Sequence, residues 1–315
     1  MPVKMPDLEP NTSSPLRNQE RQADSVPAWQ PMTFRGVAKF AESSYGRLLV
    51  VQMVVALVSA ISVVCFVRAA WEPVFAAAAR ELPDQGRIQD ARLVWGGESP
   101  RRLAESRFLS IVVDRDNTAP TGPEADVETK LGLDRLYVHS LLGYVEIPYP
   151  RGWIIAVNRP EVEPWWGAHL PAVFAATSAL VMLGLWVCWS LLALPYALVA
   201  RFIGFWFDAR LTWLGAWRLA SAVQLPGALV MAGAILLYGW QHLNLVGLIL
   251  AVPVHLLVGW AYLLGAPARL ARLPGVLAET SNPFNASTGS SNPFTSPPGD
   301  ANPRPAPGNQ EPPAG

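Results

Sequence analysis

Apolar positions in this chain gather into four runs, 48–67, 170–193, 219–239 and 245–264, and none of the four contains an Asp, Glu, Lys or Arg. Each run has about the 20 residues a helix needs to cross a hydrocarbon core. Inside a bilayer the backbone must satisfy its own N–H and C=O groups, and a single segment does so only as a helix. The pattern predicts an α-helical integral membrane protein with four transmembrane helices.

Between the first two runs the pattern changes. Residues 71–82 carry four consecutive alanines, Ala76 to Ala79, and read as a helix ended by Pro83, because the residue before a proline is driven away from helical geometry. Strand-like segments follow at 91–95, 107–114, 127–131, 135–142, 144–148 and 153–157. Gly96, Gly97, Asn117, Pro120, Gly122 and Gly143 supply turns between them. Residues 72–168 suffice for one core. They read as a small α+β extracytoplasmic domain, rich in antiparallel sheet, inserted between spans 1 and 2.

Two shorter segments are ambiguous. In 32–47, Phe34, Val37, Ala38, Ala41 and Tyr45 recur at helical spacing. This is an amphipathic entry helix, either lying on the membrane surface or packed on the bundle. Residues 202–217 are aromatic and include Asp208 and Arg210. They read as an interfacial helix, with a re-entrant or fifth spanning segment as the alternative. The ends, 1–31 and 275–315, are rich in Pro, Asn and Ser with little to bury, the composition of a disordered leader and a disordered tail.

Orientation follows from charge in the short connections. Arg35, Lys39 and Arg47 precede span 1; Arg201, Arg210 and Arg218 lie between spans 2 and 3; Arg269 and Arg272 follow span 4. The link at 240–244 has no formal charge. Both termini are therefore expected in the cytoplasm and 72–168 outside; Arg68, at the outer end of span 1, opposes this. The run at 48–67 begins after a long polar leader and is long enough to span, which reads as an uncleaved signal anchor rather than a cleaved peptide.

Composition narrows the chemistry. The formal charge is zero, which disfavours nucleic acid as a partner. Charged residues make up 15% of the chain, against about 25% in a typical soluble domain. Cys65 and Cys188 both lie in apolar runs, so no disulfide can brace the 72–168 domain. No phosphate-binding glycine loop, paired metal-ligand histidines or nucleophile elbow occurs. No cofactor, metal or catalytic residue is expected, and the chain reads as non-enzymatic.

Two candidate sites stand out. His255 lies near the middle of the fourth run, two residues after Pro253, and an ionisable residue within a span is a functional candidate by default. With Gln224 of the third run it could form an intramembrane polar site; alternatively it makes one interhelical hydrogen bond. Ser281-Asn282-Pro283-Phe284 recurs as Ser291-Asn292-Pro293-Phe294. Asn-Pro-Phe resembles the ligand of EH domains, so Phe284 and Phe294 are candidate tail docking residues, against a chance duplication. Asp114-Arg115-Asp116-Asn117 resembles the start of a calcium loop but lacks the later ligands; a strand ending in a polar turn accounts for it.

The order of parts resembles a family of bacterial multi-pass membrane proteins without an assigned activity. Their plan is an amphipathic entry helix, one span, an extracytoplasmic domain, and a bundle distantly similar to that of the Yip family. The stretches that carry the likeness are 34–67, Leu82-Pro83-Asp84-Gln85-Gly86-Arg87-Ile88, 108–116 and WRLASAVQLP at 217–226. The resemblance implies a bacterial inner membrane and transfers no activity. Three functions stay open: an outer domain that binds a partner or ligand, a transporter or channel component with a pocket near His255, or a scaffold acting through its tails.

Overall fold

The computed structural model describes residues 30–119, 125–209 and 211–270. It is mostly helical, and four of its helices are long and apolar enough to cross a membrane. An α+β region lies between the first and second of them.

Helix α1 (Phe34–Lys39) is capped by Thr33, whose hydroxyl accepts the Gly36 N–H. Val37, Ala38, Phe40 and Ala41 are buried in the main bundle core, and Phe34 stacks on Tyr262 at 4.6 Å. Of the two readings of 32–47, the packed helix describes these contacts. Helix α2 (Tyr45–Phe66) follows, capped by Ser44. It continues without a break through a π-helical turn (Val67–Trp71) into α3 (Glu72–Arg80).

Two sheets come next. Strands β1 (Gly86–Gln89), β2 (Arg92–Trp95) and β8 (Ile154–Ala156) form one, in the order β2-β1-β8. Strands β3 (Arg101–Glu105), β4 (Leu109–Val113), β5 (Val127–Leu131), β6 (Arg135–Ser140) and β7 (Gly143–Pro148) form the other, in sequence order. Every pairing is antiparallel except β4 with β5. Helix α3 covers the sheets through Val74 and Ala78, which meet Ile88, Leu93, Trp95, Leu109, Ile111 and Val113 in one core.

The structure adds two strands to those the pattern marked. β1 reads Gly-Arg-Ile-Gln and β3 Arg-Arg-Leu-Ala-Glu. Each has few apolar side chains, so alternation is faint. The β1–β2 turn is Asp90-Ala91, both at positive φ, the backbone a two-residue hairpin needs; Ala91 is therefore turn, not strand.

Helix α4 (Arg159–Trp206) is 48 residues long. At 1.5 Å per residue it reaches about 72 Å, more than twice a hydrocarbon core, so it overruns the 170–193 run at both ends. Helices α5 (Trp213–Ala222) and α6 (Leu225–Gly239) follow, then α7 (Leu245–Gly265) and a 3₁₀ turn (Pro267–Arg269). The 202–217 segment is not one helix: 202–206 ends α4, 207–208 turn, and 213–217 begins α5. The Arg218 guanidinium donates to the Ser43 carbonyl, joining α5 to the α1–α2 turn. The 219–239 run is likewise interrupted at Val223-Gln224. Pro226 explains the break, since it has no N–H to donate to the carbonyl four residues back. Phe284, Phe294 and Arg210 lie outside the described residues.

Candidate functional site

The α5–α6 break places Gln224. Its side-chain amide donates to the Ala220 carbonyl and to the Trp189 carbonyl of α4, each at 3.1 Å. The first bond replaces what an unbroken helix would supply; the second staples α6 to α4. Across the bundle, α6 and α7 cross closely. A Cβ added to Gly227 would sit 2.4 Å from the His255 carbonyl oxygen, and one at Gly259 would touch Val223. No side chain larger than hydrogen fits at Gly227 without moving a backbone.

This crossing holds His255 at the edge of a cavity of about 220 Å³ to which α2, α4, α6 and α7 all contribute. Gln224 and His255 both line it, with Ser59, Cys188, Tyr196 and otherwise apolar side chains. The Ser59 hydroxyl is spent on the Val55 carbonyl at 3.0 Å. His255 Nδ1 is buried without a hydrogen-bond partner. A buried polar atom left unbonded is costly, so this nitrogen leaves bonding capacity in the cavity wall that no described protein atom uses. The arrangement can bind a mainly apolar molecule carrying one hydrogen-bonding group.

A second concave surface lies on the three-stranded sheet. Asp84, Arg87, Val94, Ile154, Asn158 and Glu161 line a cleft of about 460 Å³. Its wall is the N-terminus of α4, where the Asn158 carboxamide oxygen accepts the Glu161 N–H and its amide donates to the Glu161 carboxylate and to the Gly86 carbonyl. Through Asn158 this cap ties the start of α4 to Gly86 of β1. Val94, Ile154 and the neighbouring Trp153 are exposed, Trp153 at 66% and Ile154 at 72%. On the far rim of the five-stranded sheet, Arg135 bridges Asp134 at 2.8 Å and Glu146 at 2.6 Å. The Arg135 guanidinium holds the Asp134 carboxyl below its ordinary pKa, and the two carboxylates raise that of Arg135. Burial pushes the Tyr149 phenol up; its hydroxyl donates to the Gly132 carbonyl at 3.1 Å.

The α+β region is docked, not tethered. Phe66, Phe108 and Tyr238 form a triangle with ring centroids 5.0 to 5.6 Å apart, and Trp71 from the π-helical turn leans on Phe66 at 5.9 Å. The Tyr238 hydroxyl donates to Asp126 at 2.7 Å, and Arg107 donates to the Leu243 carbonyl at 3.2 Å. The Asp114 carboxylate accepts the N–H groups of Thr118 and Ala119, so it closes its own turn. Among the described residues no group of three or more His, Cys, Asp or Glu converges as a metal site.

The expected pair, His255 and Gln224, thus shares one cavity. The sheet cleft was not foreseen, because its residues come from segments far apart and β1 carried no strand signal. The docking triangle could have been suspected only from aromatic residues at the run ends. No protein-family model matches the chain, and no curated protein or solved structure matches it.

Proposed function

We propose that this chain is a non-enzymatic integral membrane protein whose α+β domain, outside the cytoplasm, binds a protein partner across the outward face of its three-stranded sheet. The observation that carries this reading is the cleft beside exposed Val94, Trp153 and Ile154. Exposed apolar side chains gathered at a polar-rimmed concavity are the usual mark of a recognition surface. Asp84, Glu161 and Arg87 at the cleft supply charge for selectivity. The docking of the domain on α2 and α6 supports a coupled role for the bundle: a load on the domain would reach the helices through Phe108, Tyr238 and the Tyr238–Asp126 bond, at one end of the five-stranded sheet.

Membrane insertion and orientation belong to the same reading. Four helices, each long and apolar enough to cross a membrane, support insertion, and the bias of Arg35, Lys39, Arg47, Arg201, Arg218 and Arg269 away from the domain supports cytoplasmic termini. A bacterial inner membrane is the setting proposed.

A second reading, a bundle that binds or conducts a small ligand, is favoured by the unpartnered His255 Nδ1 at the cavity wall. One experiment separates the two. A photo-activated cross-linking residue at Ile154 in native membranes should give a discrete protein adduct, weakened by Arg87→Glu and retained in His255→Gln. Absence of an adduct at Ile154 and Trp153 would remove the first reading; loss of the adduct in His255→Gln would couple it to the second.

A further inference from the structure

The register of the five-stranded sheet fixes the height of its last hairpin. Leu109 pairs with Val127, Val127 with Ser140, and Ser140 with Gly143. One row therefore runs across β4, β5, β6 and β7. The residues just beyond this row on β4 and β5 are Phe108 and Asp126, the two that grip Tyr238 at the end of α6. The β6–β7 turn, Leu141-Leu142, stands at that same end of the sheet. Each strand adds about 4.8 Å of lateral displacement, so the turn lies one to two strands to the side of the β5–α6 contact. There Leu141 shares a crevice with Asn244, Leu245 and Val246, the cap and first turn of α7.

The side chains at this turn are apolar and uncovered. Leu141 is 61% exposed, Leu142 81%, Tyr144 65% and Val145 60%. No formally charged residue occurs from Ser140 to Val145. Gly143, at φ +124, allows the tight reversal that pushes the two leucines to the extremity. Beside the turn, Val246 is also exposed, as are Val252, Val254 and Leu257 further along α7. The apolar patch of the hairpin is thus continuous with the apolar surface of a helix that the proposed reading puts against lipid.

We infer that the β6–β7 hairpin is a second membrane contact: Leu141 and Leu142 enter the interfacial layer of the outer leaflet, with Tyr144 at headgroup level. The occupant of this patch is the bilayer in which α7 sits, and the inference rests on the proposed insertion. An aromatic flanked by aliphatic side chains suits the water–hydrocarbon boundary. With no charge at the turn, the contact is independent of headgroup charge. Its consequence is a domain held at two points, the Tyr238 junction and the hairpin tip, so that it cannot rock freely over the bundle.

The test uses the full chain without Cys65 and Cys188, reconstituted in phosphatidylcholine vesicles. Single cysteines at Leu142, Asp116 and Leu257 carry an environment-sensitive fluorophore, and nitroxide lipids labelled near the headgroup or deep in the acyl chain act as quenchers. The hairpin contact predicts a blue-shifted Leu142 probe that loses most of its emission to the shallow quencher and less to the deep one. The Leu257 probe should respond most to the deep quencher and the Asp116 probe to neither. A Leu142 probe that is water-like, or blue-shifted but unquenched by either lipid while Leu257 is quenched, overturns the hairpin contact and leaves insertion standing. If Leu257 is also unquenched, insertion itself has failed.

Discussion

Lys130 and Glu128 sit two apart on β5, their charged atoms 3.3 Å apart and both side chains 4% exposed. In register, Ser110 and Val112 of β4 lie beside them on the same face, and all five β4 positions are buried. The five-stranded sheet therefore buries both faces at its centre, one apolar and one partly ionic. Removing one partner from such a pair leaves a buried charge uncompensated, whereas replacing both with apolar groups of similar size is far milder. Lys130→Met should cost about 3–5 kcal/mol of local stability, read as faster hydrogen exchange at β4 and β5 amides in the full chain. Glu128→Leu combined with Lys130→Met should exchange more slowly than Lys130→Met alone. The sequence hid this pair. Val127-Glu128-Thr129-Lys130-Leu131 alternates as a half-solvated strand does, and alternation carries no sign that its polar face will be covered. His255 and Gln224 were visible for the opposite reason: a polar side chain inside an uninterrupted apolar run has no solvent-facing side to explain it.

Among the elements, the four apolar helices were legible because length and absence of charge are read directly from the chain. Their joints were less so. The α5–α6 break falls inside an apolar run, where only Pro226 and Gln224 mark it. The close α6–α7 crossing at Gly227 and Gly259 has no small-residue spacing to mark it, since neither glycine has a small partner four residues away on its own helix. The crossing makes a sharp prediction. Gly227→Ala would drive a Cβ to 2.4 Å from the His255 carbonyl, and overpacking of this kind typically costs about 1–3 kcal/mol. Gly233, on the same helix, has nothing within 4 Å of its added Cβ. In detergent, Gly227→Ala should lower the melting temperature of the full chain, and Gly233→Ala should leave it unchanged or raise it. Equal behaviour of the two variants would mean that α6 and α7 do not cross at Gly227.

For the whole molecule, the α+β domain and the bundle share one aromatic joint. The π-helical turn at Val67–Trp71 carries α2 into α3 without a loop, α4 returns from the sheet as one unbroken helix, and Phe108 and Asp126 close on Tyr238 between them. The joint therefore rests on aromatic packing and one hydrogen bond between the domain and the bundle. Two side chains that sequence ranks low, Tyr238 and Asp126, hold the joint, because the signal is their spatial meeting and not their spacing. We propose that this domain stands outside a membrane crossed by the four helices. The most direct test is the reactivity of single cysteines at Asp116 and Ser287, in a chain without Cys65 and Cys188, toward a membrane-impermeant thiol reagent. Labelling is expected at Asp116 in intact cells, and at Ser287 only after permeabilisation. Labelling of Ser287 but not Asp116 in intact cells would contradict it.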